Sequence, residues 1–297
     1  MTELDLNSTP KPRIARRDFL KLLKVFGLSF LFAAAGGAYF TKSEADWWEV
    51  KQVGLILPGL PAAFSGMRLI QVSDIHIGGW MNIERLRQVF EIVKKLEPNM
   101  LAITGDFVLS SSWEQTQEAE MLELETELKL MTALYPTLAV LGNHDHWADA
   151  PAVTQMLSRG GVRVLANTVQ RIQIGKDYLY FAGVDDVLLG MNRLDQVLAK
   201  LPEKERAILL VHEPDFANVS AATGRFNLQL SGHSHGGQVN IPGIGAPVLP
   251  QLARIYPQGL YKVGKMYHYT NRGVGMTRPF IRINCRPEIT VFTLKSQ

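Results

Sequence analysis

The chain is 297 residues long, 46% apolar and 20% charged, with 25 glycines and 15 prolines. That composition supports a globular core and excludes a disordered, collagen-like or polytopic membrane chain. Of 31 Lys/Arg and 28 Asp/Glu, residues 1–40 hold six and three, so the formal charge of +3 resides at the N-terminus and the rest is neutral; a net-basic body, the electrostatic footprint of a nucleic-acid binder, is absent.

In chain order the first element reads as an address. Arg16-Arg17-Asp18-Phe19-Leu20-Lys21 precedes Val25–Phe40, an uncharged run with small residues from Ala33 to Ala38. A basic region, an apolar run and small residues form the layout of an export signal, and paired arginines before Phe-Leu-Lys look like a twin-arginine signal. Leu20–Phe40 is also long enough to span a bilayer if Lys21 and Lys24 snorkel, which leaves a retained anchor open. The expectation is a signal or anchor over residues 1–40, with the twin-arginine export machinery and the membrane as partners. That places the protein at the inner membrane or in the periplasm, or on the cytoplasmic face if the segment only anchors. Trp47-Trp48 either meet lipid headgroups or pack on the domain.

From about residue 50 to 297 a single domain is expected. Met67–Ser73, Leu101–Thr104, Thr137–Leu141, Ile208–Val211 and Leu228–Leu230 read as buried strands, each ending in a polar cluster. Asn82–Glu97 reads as an amphipathic helix capped by Asn82 and stopped by Pro98, and Ser112–Leu134 as a second helix with an acidic first half. Val162–Leu165, Val169–Ile174 and Tyr178–Val184 are spaced like antiparallel hairpin strands, with turns at Asn167 and Gly175-Lys176-Asp177. β-α-β units followed by hairpins argue for an α/β sandwich with mixed sheets. The lone Cys285 excludes an intrachain disulfide.

The strand-end clusters carry the chemistry: Ser73-Asp74-Ile75-His76, Gly105-Asp106, Gly142-Asn143-His144-Asp145, His212-Glu213-Pro214 and Gly232-His233-Ser234-His235-Gly236-Gly237. The loops at strand C-terminal ends converge on one crevice in α/β sheets. Any one of these clusters alone is an ordinary turn or cap. Together they contain five of the seven histidines in the chain. Asp, His and Asn without a thiolate form a donor set suited to Mn, Fe or Zn. Asp74/His76 and His233/His235 are each two residues apart, which on extended chain presents both side chains to one side.

The ordered set D-x-H, G-D, G-N-H-D, H and G-H-x-H resembles the calcineurin-like metallophosphoesterase superfamily. Gly236-Gly237-Gln238, Gly259-Leu260-Tyr261, Arg272-Gly273-Val274-Gly275 and Arg282-Ile283-Asn284-Cys285-Arg286-Pro287-Glu288 are similar to its bacterial phosphodiesterase branch, whose members begin with a twin-arginine or membrane segment. The resemblance covers about Val50 to the C-terminus. It implies a four-layer α/β/β/α sandwich of two mixed sheets and two divalent metal ions, Mn foremost, with Fe or Zn as alternatives. Asp74, His76 and His235 would hold one ion, Asn143, His212 and His233 the other, and Asp106 would bridge them. His144 would serve the leaving group, with Asp145 orienting its ring. The implied activity is phosphodiester hydrolysis by a metal-bridging hydroxide. The alternatives are a UDP-2,3-diacylglucosamine pyrophosphatase of lipid A synthesis and a non-catalytic binding module on the same fold. The substrate would be a phosphate ester or lipid-linked phosphate, with no specific nucleic acid.

Phe216–Pro287 holds eight Lys/Arg and no acid. These either make the site rim electropositive or pair with the acidic helix at Glu114–Glu127. Ile241–Tyr256, apolar with Pro242, Pro247 and Pro250, suits a loop overhanging the site; it either meets an acyl chain or the membrane, or packs on its own domain.

Overall fold

The computed structural model describes residues 44–109 and 115–297. The expected signal or anchor over 1–40 lies outside the described residues, and among them no helix is long and apolar enough to cross a membrane.

Two six-stranded mixed sheets face each other. The first is built from β1 (Glu49–Ile56), β2 (Arg68–Val72), β3 (Met100–Thr104), β4 (Thr137–Val140), β5 (Arg163–Val164) and β12 (Glu288–Lys295), in the order β1-β12-β2-β3-β4-β5. The second is built from β6 (Thr168–Ile174), β7 (Asp177–Gly183), β8 (Ala207–Leu210), β9 (Phe226–Ser231), β10 (Gly259–Val263) and β11 (Met266–Thr270), in the order β10-β11-β9-β8-β7-β6. Among the described residues five α-helices accompany them: α1 (Ile83–Lys95), α2 (Gln115–Thr132), α3 (Asn143–Arg159), α4 (Leu194–Lys200) and α5 (Ala217–Ala222).

The period-two alternation of strand side chains sorts the apolar residues into three layers. On β2 and β3, Ile70, Val72, Leu101 and Ile103 point outward into a cluster with Leu86, Phe90 and Val93 of α1, Leu128 of α2 and Met156 of α3. Leu69, Met100 and Ala102, one residue out of phase, meet Phe181, Ile208, Leu210 and Leu228 of the second sheet. Leu209 and Val211 point away from that interface to Val197, Phe216 and Ala217. The result is helices, sheet, sheet, helices, the expected four layers, and it explains why the core strands read as continuous apolar runs.

The α1 start matches its sequence signal: Asn82 Oδ1 accepts the Arg85 amide at 3.0 Å. The hairpin expected around Gly175-Lys176 forms as β6–β7. The strand expected at 162–165 does not hairpin with its successor. β5 pairs in parallel with β4 in the first sheet, and the chain then crosses to the second. Asn167, with φ +52°, makes that crossing; its Oδ1 accepts the amides of Asp185 and Arg193, so it is a loop clamp and not a hairpin turn. Trp48 packs on the domain, its indole N–H donating to the Val274 carbonyl at 3.2 Å.

Candidate metal centre

The strand-end loops of both sheets meet at one place. β2 and β3 deliver Asp74, His76 and Asp106, β4 leads into Asn143 at the start of α3, and β8 and β9 lead into His212, His233 and His235. Beneath them Gln71 of β2 ties the sheets together, its amide donating to Thr104 Oγ1 and to the Ser231 carbonyl, both at 2.9 Å.

The predicted ligands fall into two connected groups. Donor atoms of Asp74, His76 and His235 lie within 4.8 Å of one another, as do those of Asp106, His212 and His233. His76 Nε2 is 3.0 Å from His235 Nε2, and His235 Nε2 is 3.4 Å from Asp74 Oδ1. Asp106 Oδ2 stands between the groups, 3.5 Å from His76 Nε2 and 3.2 Å from His212 Nε2. Asn143 lies beside Asp106 and His233 on the floor of the adjoining cleft.

Sequence reasoning put Asp74/His76 and His233/His235 on extended chain. The structure corrects this. The strands end at Val72 and Ser231, and the four residues lie in the loops beyond, at φ +52°, +51°, +67° and +50°. Asp106 is left-handed too, at +56°. A non-glycine residue held there costs about 1–3 kcal/mol, and five at one site mark a place where the surroundings dictate geometry. Burial compounds the cost, because Asp74, His76 and His212 are fully buried and Asp106 nearly so.

Second contacts decide which imidazole nitrogens are free. His212 Nδ1 lies 2.7 Å from the Thr104 carbonyl and His233 Nε2 lies 2.9 Å from the Gln251 carbonyl. A carbonyl only accepts, so these nitrogens carry hydrogen and the other ring nitrogens, His212 Nε2 and His233 Nδ1, are the ones turned to the site. Asn143 Oδ1 and the Nδ1 atoms of His76 and His235 are buried without a hydrogen-bond partner. Burial holds His76 down to about 3 and His233 to about 4, so both rings are neutral. Burial also pushes Asp74 up to about 7. Against the effect of burial, the Asp106 carboxylate raises His212 well above its ordinary value. Neutral imidazoles, an orphaned amide oxygen and carboxylates that burial disfavours as anions together form a donor set that a divalent cation satisfies. The residues present fit metal ions.

His144 is half-buried on the first turn of α3, and its backbone N–H donates to Asp106 Oδ1 at 2.9 Å. A donor atom of its ring lies within 4.8 Å of those of His76 and Asp106. Asp145, expected to orient that ring, is committed to backbone: Oδ1 accepts from Phe107 and Val108 and Oδ2 from Gly142. Its structural place is a clamp between the β3 loop and α3.

Arg282 is a functional residue that charge counting missed. Its guanidinium is fully buried with no carboxylate partner and donates to the carbonyls of Arg272, Gly273, Gly275 and Cys285 at 2.7–3.2 Å. Those carbonyls belong largely to a strap whose Val274 and Gly275 amides bond the Ser73 and Asp74 carbonyls at 2.9 and 2.8 Å. Gly273 sits at φ +74°, where a Cβ would come within 2.7 Å of Asp74 Cβ. The strap therefore sets where Asp74 stands.

Among the described residues, most cations of the basic segment are engaged away from both the rim and the acidic helix. Arg272 pairs with Glu288 and Glu49, Arg225 donates to backbone carbonyls, and Arg286 covers Trp47. Among the described residues of the acidic helix, Glu125 pairs with Lys129 and Arg159, and Glu127 with Arg87. Of the eight cations only Arg278 lines the cleft beside the metal centre. The proline-rich loop does overhang the site: Pro247 to Gln251 form one wall of that cleft.

Residues 67–237 match the sequence profile of the family described as calcineurin-like phosphoesterase. The chain is 33% identical over 287 residues to the metallophosphoesterase YkuE of Bacillus subtilis (strain 168), covering 96% of this chain and 99% of that one. It is 26% identical over 285 residues to the phosphodiesterase YaeI of Escherichia coli (strain K12), covering 95% and 99%. Among solved structures, it is similar to the calcineurin-like phosphoesterase YfkN from Bacillus subtilis, with a TM-score of 0.47, 11% identity, and coverage of 76% and 89%.

Proposed function

From the premise that this chain belongs to the calcineurin-like phosphoesterase family, a family of metal-dependent phosphoester hydrolases, we propose that it hydrolyses phosphodiesters at a two-ion centre. The observation that carries this reading is Asp106 Oδ2, a single carboxylate oxygen within 3.5 Å of an imidazole nitrogen from each of two donor groups. The similarity to a protein named as a phosphodiesterase supports the diester preference.

Asp74, His76 and His235 would hold one ion, Asn143, His212 and His233 the other, and Asp106 both. Two divalent cations supply Lewis acidity, drawing charge from the phosphoryl oxygens and acidifying water. The protein's own groups do the rest. The carbonyls of Thr104 and Gln251 fix the ligand tautomers. The N-terminal turn of α3 points its dipole at the cleft floor, favouring an anionic ester. His144, whose ring lies near His76 and Asp106, would give its proton to a leaving alkoxide. Asp145 keeps that turn against the β3 loop, and the arrangement needs no covalent protein intermediate.

The test is reconstitution with Mn, Fe, Zn or Mg followed by a screen of mono-, di- and pyrophosphate esters, UDP-2,3-diacylglucosamine included. Metal-dependent turnover of diesters is expected, with Mn the most effective. Cleavage of pyrophosphates alone would overturn the diester reading.

Residues 1–40 are proposed to direct the folded domain to the twin-arginine machinery and so to the extracytoplasmic side of the inner membrane. Replacing Arg16 and Arg17 with lysine should leave the protein in the cytoplasmic fraction; unchanged export would refute the assignment.

A further inference from the structure

The cleft over the metal centre has a volume of about 620 Å3, within the range of small-molecule sites. Its floor is polar, formed by Asp106, Asn143, His144, His233 and His235, whereas its walls are mostly apolar. Trp147, Leu188, Val239, Val248, Leu249 and Ile281 line it. Several of these side chains are left in water, with Trp147 53% and Val248 75% exposed, and Ile244 on the same overhanging loop 77% exposed. Exposed apolar surface concentrated at one rim is a binding feature, unlike apolar residues scattered singly.

Charge narrows the ligand further. Among the described residues, Arg278 is the one Lys or Arg lining the cleft, and no carboxylate lines it except Asp106 on the floor. A diester carries a single negative charge, which the floor can meet. A nucleotide arm with several phosphates would lay further charge along a wall that has one cation and few polar groups to receive it. A hydrocarbon arm instead covers the exposed wall and leaves the water.

We propose that the cleft selects amphiphilic phosphodiesters, with the phosphate on the metal floor and a hydrocarbon arm of about eight carbons or more along the wall formed by Trp147, Val248, Leu249 and Ile281. This rests on the phosphodiesterase reading and names its substrate class. The chain is the specificity element and the metal floor is indifferent to it.

The test is a series of alkyl p-nitrophenyl phosphates, from methyl through butyl to octyl, assayed with the metal-loaded protein below their micellar concentrations. Each fully buried methylene is worth up to about fourfold in binding. Because the wall is open on one side, kcat/KM should rise at least tenfold from butyl to octyl. A double substitution, Val248→Asp with Ile281→Asp, should flatten that octyl-to-butyl ratio to within twofold. Binding of octyl phosphocholine to the metal-loaded protein, followed by tryptophan fluorescence through Trp147, gives a readout independent of turnover. Equal kcat/KM for butyl and octyl diesters would overturn the hydrocarbon arm while leaving the phosphodiesterase reading intact. Absence of turnover across the whole series would overturn both. The same octyl diester offered free and in phosphatidylcholine vesicles separates a soluble amphiphile from a membrane lipid as the source.

Discussion

At the scale of single residues, the metal centre combines strain, burial and unsatisfied donors. Asp106 is the position where these meet, because its two oxygens serve two imidazoles and the His144 amide. Asp106→Ala should therefore abolish metal-dependent hydrolysis and leave less than one bound ion per chain by elemental analysis. His144→Ala should retain both ions and lose about 10²–10⁴ in kcat, the usual contribution of a positioned acid or base. Arg282→Met removes the donor to four backbone carbonyls, and should lower the unfolding free energy in urea by roughly 3 kcal/mol and weaken metal binding with it. That these side chains would come together was legible in the sequence because parallel strands deliver their loops to one edge, so short Asp/His clusters after apolar runs had one place to meet. Their backbone was not legible. Five left-handed non-glycine residues leave no signal in composition or spacing, and the extended reading of Asp74/His76 followed from strand geometry that stops at Val72. Arg282 was equally hidden, since an arginine in a basic segment reads as surface charge until its burial is seen.

At the scale of elements, helices were easier to read than short strands. The α1 pattern carried a cap, an apolar face and a stop, and Asn82→Ala should cost about 1 kcal/mol in stability by losing the Arg85 amide bond. The two-residue β5 has no period to read, so spacing alone points to a hairpin where the chain instead pairs in parallel with β4 and crosses between sheets. The first turns of α3 hold a testable pH dependence. His146 Nε2 lies 2.9 Å from Asp185 Oδ1, and that hydrogen bond raises the imidazole pKa while its partial burial opposes the rise. A pKa raised on folding stabilises fully below the unfolded value of about 6.5 and is lost as pH rises through the folded one. A double-mutant cycle with His146→Ala and Asp185→Asn should show its coupling at pH 5.5 and little at pH 9.

At the scale of the whole molecule, the candidate metal ligands come from both halves of the sandwich. Asp74, His76, Asp106 and Asn143 hang from the first sheet, and His212, His233 and His235 from the second. Ions bound there join the sheets across their common edge, where Gln71 is the main internal tie seen from β2. Removing metal with a chelator should lower the melting temperature; the stabilisation lost grows with metal concentration over Kd and reaches about 2.7 kcal/mol at a hundredfold excess. Asp106→Ala should melt at the same temperature with and without metal. A sandwich of mixed sheets was legible in the alternation of apolar strands and helical patterns, and its four layers followed only from the family resemblance; which sheet each strand joins was not legible, because that depends on pairings far apart in sequence.

β12 lies between β1 and β2, parallel to the first and antiparallel to the second. Asp74 follows β2 directly, so one arm of the metal centre hangs from a strand whose neighbour is made more than 200 residues later. On the ribosome, β1 and β2 emerge early with a vacant slot between them, and nothing upstream of residue 288 can fill it. A chain cut before residue 288 should therefore leave β1 and β2 unjoined, read as loss of metal binding by elemental analysis. The order in which the strands are made thus sets the earliest moment at which Asp74 can be held in place.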